Sequence, residues 1–183
     1  MRLDLYDNSD FTRGASSLKE ALWILCKCLF FLNPFPWPSS LRVSLLRLFG
    51  ARIGRGVIIR SGVNISFPWR FSAGDHVWIG EDVYILSLAP VTLGSHVCLS
   101  QQAFLCTGSH AWQMETFDLK TSPITVEDSV WIAARALIGP GVQLGRGCVV
   151  GAGAVVMKSL APDTLAKASP PVLATKIPRD CSE

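Results

Sequence analysis

Only three histidines occur in the chain, and one of them, His110, stands where chemistry is expected. It ends the run Cys106-Thr107-Gly108-Ser109-His110, at which a tight six-residue repeat breaks off for an excursion of fifteen residues. A histidine on a loop at the edge of a cleft can act as a general base near neutral pH. His76 and His96 follow a different rule. Each lies three places before an inward repeat position, 79 and 99, so the spacing predicts that they stack at one corner of successive coils. A stacked pair can bind a metal, but the next equivalent position is Ser129 and no carboxylate-rich cluster adds a ligand, so no metal is expected. The six cysteines (26, 28, 98, 106, 148 and 181) show no metal-ligand spacing and read as reduced thiols, mostly core filler, in a cytoplasmic protein.

The element that must carry His110 is the repeat itself. From Val130 to Ser159 an aliphatic returns every sixth residue: Ile132, Ile138, Leu144, Val150, Val156. A small residue follows the first four (Ala133, Gly139, Gly145, Gly151), and a small or β-branched one sits four places on (Ala136, Val142, Cys148, Ala154). Period six is neither the 3.6 of a helix nor the alternation of a lone strand. It is the period of a chain that turns a corner every six residues and stacks its flat sides into a solenoid. Inward residues can be phased at 53, 59, 65, 71, 79, 85, 93, 99, 105, 126, 132, 138, 144, 150 and 156. Three hexads per turn give about five coils of an all-β triangular prism. Steps of eight at 71→79 and 85→93 predict two-residue bulges at corners, and the step from 105 to 126 contains the excursion, residues 107–123.

Ahead of the prism lies a helical segment, residues 1–50, and behind it a Pro-containing tail, 161–183, flanking the solenoid at 51–160. Residues 1–15 carry little pattern. Ser17 and Glu20 form a capping-box signature for a helix running to about Phe31, apolar around nearly its whole circumference. A second helix is predicted from Ser39 or Ser40 to about Phe49, with Leu41, Leu45, Leu48 and Phe49 as its apolar face. The first helix is expected to cover an open end of the solenoid and to pack on neighbouring subunits. Its sharper reading is peripheral contact with a membrane that carries a lipid-linked substrate. The run Ala21 to Leu32 is interrupted by Lys27 and is too short for a bilayer span, and the acidic, polar N-terminus does not read as a signal peptide. Charged residues make up 17% of the chain and the net charge is +3, which gives no case for nucleic acid. The flat faces of a triangular prism suggest a homotrimer.

The hexads resemble the left-handed parallel β-helix of the hexapeptide-repeat acyltransferases. LLRLFGARIG (45–54), IGEDV (79–83), LSQQAFLCTGSH (99–110), VWIAARALIGPGV (130–142) and VVGAGAVVMKSL (149–160) are similar to the colanic-acid-biosynthesis acetyltransferase group within them. The resemblance covers nearly the whole chain. It implies an acetyl-CoA-dependent O-acetyltransferase acting on a sugar hydroxyl, built as a trimer with active sites between subunits. By the same resemblance His110 matches the catalytic histidine, and Trp131 and Ala133 match residues of the coil lying along CoA. Gly151, Ala152 and Lys158 match positions near the outer part of the cofactor groove. Two positions depart from the pattern: Ala111 stands where an acid often follows the histidine, and Ala168-Ser169-Pro170 replaces a Gly-Asn-Pro element in the tail.

The expected chemistry follows from the acceptor. A sugar hydroxyl is a poor nucleophile, so a base must remove its proton as it attacks the thioester. One ring nitrogen of His110 would do this, and the other needs an acceptor: Glu115, Asp118 or a backbone carbonyl. Lys158, Lys167, Lys176 and Arg179 would offset the cofactor's phosphates. Serine, antibiotic and amino-sugar acyltransferases share such a fold, and a non-catalytic β-helix scaffold is the rival of a different class, for which a histidine-bearing excursion has no use.

Overall fold

Each six-residue unit yields one strand of two or three residues and a corner, and the strands stack in parallel on three faces as a left-handed β-helix. The structure, a computed structural model, describes residues 2–9 and 11–168. Ile53, Ala73, Leu93, Val126 and Leu144 are in register on the first face. Ile59, Ile79, Leu99, Ile132, Val150 and Ala166 line the second. Ile65, Ile85, Leu105, Ile138 and Val156 line the third. All of them point into the prism and all but Ala166 are buried, as are the corner residues Ala136, Val142, Cys148 and Ala154.

Two features of the predicted prism are corrected. On the first face the residue in register is Ala73, not Phe71: the two extra residues lie earlier, in the turn Pro68–Arg70, and not between 71 and 79. Positions two apart on a strand face the same way, and both ends of Phe71–Ala73 are buried, so the sequence alone did not separate them. The prism also runs past its predicted end at 160. Leu160 bridges to Leu144, and Leu165–Ala166 pairs with Val149–Val150, which begins a sixth coil. Pro162 sits at a corner there, and the inward position is taken by the small Ala166, which hid the period.

The end of the prism needs a cap because a first coil exposes an unpaired row of backbone groups. Helices α1 (Ser17–Phe30) and α2 (Ser39–Leu48) supply it on all three faces. Arg47 donates to the Ile53 carbonyl at 2.8 Å, Arg42 to Ile59 at 3.2 Å, and the Trp23 indole to Ile65 at 3.0 Å. The Ser39 hydroxyl accepts from the Ile59 amide at 2.8 Å. Trp23, Phe31, Val43 and Leu46 close the apolar end beneath these contacts. Two helix details differ from expectation. Ser16, one residue earlier than Ser17, caps α1 by accepting from the Lys19 amide, while Glu20 pairs with Arg13. On α2 the buried residues are Arg42, Val43 and Leu46, and Leu48 is exposed, because the donors for the coil edge fix which side faces the prism.

Candidate active site

The excursion is a β-hairpin. Gly108–His110 pairs antiparallel with Leu119–Thr121, His110 standing opposite Leu119. Its base is tied to the corner between the third and first faces by Thr107, which is fully buried. The Thr107 hydroxyl donates to the Leu86 carbonyl at 2.6 Å and accepts from the Ala89 amide at 3.0 Å. The strand leaves that corner through Gly108, where a Cβ would come within 2.8 Å of the Leu88 side chain. Arg70, in the inserted turn of the coil below, donates to the carbonyls of Leu88 and Thr12, so the corner under the hairpin is held from both sides.

His110 is half-buried near the hairpin tip. Its Nδ1 lies 2.9 Å from the Phe117 carbonyl oxygen, and its ring stacks on that of Phe117 at 4.2 Å with the planes 3° apart. A carbonyl can only accept, so Nδ1 carries the proton and Nε2 is left with its lone pair, the state a general base requires. The orienting group is thus a backbone carbonyl, not Glu115 or Asp118. Phe117 holds φ +52, a region that bulky residues rarely occupy, and the hairpin maintains it where its carbonyl meets the imidazole. Ala111, at the position where an acid was looked for, is buried and bonds through its amide to the Asp118 carbonyl at 2.9 Å.

One residue near the site escaped the sequence reading. The N-terminal segment lies against the hairpin, with the Arg2 amide donating to the Glu115 carbonyl at 2.8 Å and the Tyr6 ring 5.8 Å from that of His110. Its only signal was that Tyr6 is one of two tyrosines in the chain.

The remaining site candidates lie on two edges. Trp131 stands outward on the second face, 49% exposed, its indole donating to Ser100 Oγ at 2.9 Å. Ala133 and Gly151 follow it one above the other at the corner between the second and third faces, their amides donating to Val150 and Ala166 at 2.8 Å. A Cβ at Gly151 would approach the Ala166 oxygen to 3.2 Å, so this edge stays smooth. Ala152 is exposed beside Gly151, and Lys167 is exposed just past the last strand, at the same edge. Lys158 differs: it is exposed on the edge between the third and first faces, the one that carries the hairpin. A single chain therefore gathers Trp131, Ala133, Gly151, Ala152 and Lys167 on one edge and His110 with Lys158 on another. Lys176, Arg179, Cys181 and the Ser169-Pro170 part of the tail lie outside the described residues.

Cys98 sits between Trp78 and Trp131 on the second face, and burial pushes its thiol above the ordinary range, which disfavours a thiolate nucleophile. His76 and His96 do stack, with ring centroids 5.2 Å apart, at corner positions of φ +56 and +59. Among the described residues no group of three or more His, Cys, Asp or Glu side chains gathers as a metal would require.

The chain is similar to known proteins over most of its length. The family model described as bacterial transferase hexapeptide (six repeats) matches residues 123–158. A candidate colanic acid biosynthesis acetyltransferase of Escherichia coli K12, WcaF, is 38% identical over 165 residues, 88% of either chain. Galactoside O-acetyltransferase of the same organism is 27% identical over 143 residues, 76% of this chain and 70% of its own. Among solved structures, a hexapeptide-repeat acetyltransferase of Vibrio cholerae complexed with acetyl coenzyme A superposes with a TM-score of 0.74 at 27% identity, covering 84% of this chain and 86% of that one. With a repeat that fixes the prism, a histidine-bearing hairpin at its corner and a relative matched along most of both chains, this protein belongs to the hexapeptide-repeat acetyltransferases.

Proposed function

We propose that the protein transfers an acetyl group from acetyl-CoA directly to a sugar hydroxyl in exopolysaccharide biosynthesis, with His110 as the general base. The observation that carries this reading is the bond from Nδ1 to the Phe117 carbonyl, which leaves Nε2 as the free acceptor. Nε2 takes the hydroxyl proton as the oxygen attacks the thioester carbonyl; the carbon–sulfur bond then breaks, and the leaving thiolate recovers that proton from the imidazolium. Backbone amides beside the hairpin or on a neighbouring coil would stabilise the charge on the carbonyl oxygen. The scaffold alternative has no use for an imidazole held in one tautomer. Serine, antibiotic and amino-sugar acceptors remain the alternatives within the enzyme class.

The same reading calls for a homotrimer. Outward residues of the first face are polar (Arg52, Ser72, Thr92, Thr125, Gln143). Those of the second are apolar (Ile58, Trp78, Cys98, Trp131, Val149, Leu165), and the third adds Tyr84, Phe104, Leu137 and Val155. Two apolar faces suit burial against neighbours, while the polar one suits water. Such packing would bring the His110 edge of one subunit to the Trp131–Gly151 edge of the next, with Lys158 and Lys167 toward the CoA phosphates. The working compartment would be the cytoplasm, where acetyl-CoA and sugar precursors meet, and the acceptor can be a free or lipid-linked sugar. A membrane contact would fall on the N-terminal cap. A panel of acceptor sugars with acetyl-CoA, followed by thiol release, tests the proposal: turnover on a sugar supports it, and turnover only on serine or an amino sugar overturns the assignment.

A further inference from the structure

The outer face of α1 runs against the usual rule for a surface helix. Its inner side, toward the prism, holds Trp23 and Cys26 together with the helix's charges: Lys27 bonds to Asn64 Oδ1 at 2.9 Å, Lys19 lies over Trp69, and Glu20 pairs with Arg13. The opposite side has no charge at all. Leu18, Leu22, Ile24, Leu25, Leu29 and Leu32 are each between 41% and 70% exposed there, and Phe35 with its neighbour Trp37 extends the patch. Soluble monomers rarely leave more than a few hundred Å² of contiguous apolar surface to water, and this row is on the order of 600 Å².

The segment that carries the patch is basic in composition, although Lys27, Arg42 and Arg47 are engaged with Asn64 and with backbone carbonyls on the side away from it. Residues 11–60, the cap and first coil, contain eight lysines and arginines and one acid, Glu20. Arg55 and Arg60 pair with Asp75 and Glu81 of the second coil, and Arg13 with Glu20. Lys19, Lys27, Arg42, Arg47 and Arg52 have no carboxylate partner among the described residues. The chain as a whole has a net charge of only +3, so the positive charge is concentrated at this end. Among the described residues no helix is long and apolar enough to cross a bilayer.

We propose that the outer face of α1 docks the protein on an anionic lipid bilayer, the leucine row entering the boundary of the acyl chains and the net positive charge of the cap and first coil drawing the protein to the anionic surface. Apolar burial and attraction to anionic lipid act together in such helices. Charge decides between this occupant and a second copy of the same cap, since two basic caps placed face to face would repel. In a cyclic trimer all three helices would lie at one end and reach one plane. The proposal goes beyond the acetyl-transfer reading and does not depend on it.

The test is sedimentation of the full-length protein with vesicles of phosphatidylcholine, alone or with about 30% phosphatidylglycerol. The wild type should pellet with the anionic vesicles and be released as salt is raised toward 0.5 M. Leu22→Glu/Leu25→Glu should bind more than about tenfold more weakly, while acetyl transfer to a soluble acceptor stays at the wild-type rate. Wild-type protein that remains in the supernatant with both vesicles overturns the proposal, as does a double variant that pellets like wild type. So does a double variant whose main effect is to split an assembly in sedimentation velocity, which would make the face a contact between copies.

Discussion

Thr107→Val removes one hydroxyl and leaves the shape of the side chain unchanged. In the structure that hydroxyl is the buried link between the hairpin and the corner beneath it, donating to the Leu86 carbonyl and accepting from the Ala89 amide. The Leu86 oxygen keeps a second donor, the Thr107 amide at 3.2 Å, so the larger cost falls on the Ala89 amide, left without a partner in a dry site. An unpaired buried donor costs about 1–3 kcal/mol, which in a domain of this size lowers the melting temperature by roughly 2–4 °C per kcal/mol. The functional consequence is separate. Loosening the hairpin base lets His110 drift, and displacement of a catalytic group by an ångström costs on the order of a hundredfold in rate. Thermal melts and steady-state kinetics of Thr107→Val should therefore show a lower melting temperature and a kcat reduced on the order of ten- to a hundredfold, with KM for acetyl-CoA little changed. Thr107→Ser, which restores the hydroxyl, should recover most of both. A Thr107→Val protein with wild-type kcat and an unshifted melt would refute the role given to this anchor.

Three further outcomes follow from the same geometry. Phe117→Ala removes the ring stacked on His110, so kcat should fall by up to about tenfold with acetyl-CoA binding intact; an unchanged kcat would separate the stack from catalysis. Arg42→Met strips donors from the carbonyls of Phe30, Trp37 and Ile59 and should cost about 3 kcal/mol or more in chemical denaturation, whereas Arg52→Met, exposed on the first face, should stay within about 0.5 kcal/mol. Lys158→Ala/Lys167→Ala should raise KM for acetyl-CoA and leave kcat nearly constant, because contacts to phosphates are alike in ground and transition states; unchanged KM would mean that neither lysine meets the cofactor.

The prism was legible because its signal is redundant: one aliphatic every six residues, repeated through five coils, survives local ambiguity. Ambiguity entered where two neighbouring positions were equally apolar, as at Phe71 and Ala73, or where the inward residue was small, as at Ala166 in the sixth coil. The cap was readable as helix, but not which side of α2 faces the prism. That depends on Arg42 and Arg47 reaching carbonyls of the first coil, and hydropathy counts those arginines as surface. At the site, His110 stood out because it marks a break in a strict period. Its orienting partner did not, since a backbone carbonyl has no residue type and Phe117 owes its part to a turn conformation. Tyr6 was equally hidden, as its approach to His110 depends on more than a hundred residues of intervening fold.

The central claim is that His110 moves the proton, and His110→Ala tests it most directly. Thiol release from acetyl-CoA with a sugar acceptor should fall by about two to four orders of magnitude, while CoA still binds and the assembly sediments as the wild type does. His76→Ala and His96→Ala, which alter only the stacked corner pair, should keep most of the activity. A His110→Ala enzyme retaining more than half of its turnover, with His96→Ala or a chelator abolishing it, would contradict direct transfer through this imidazole.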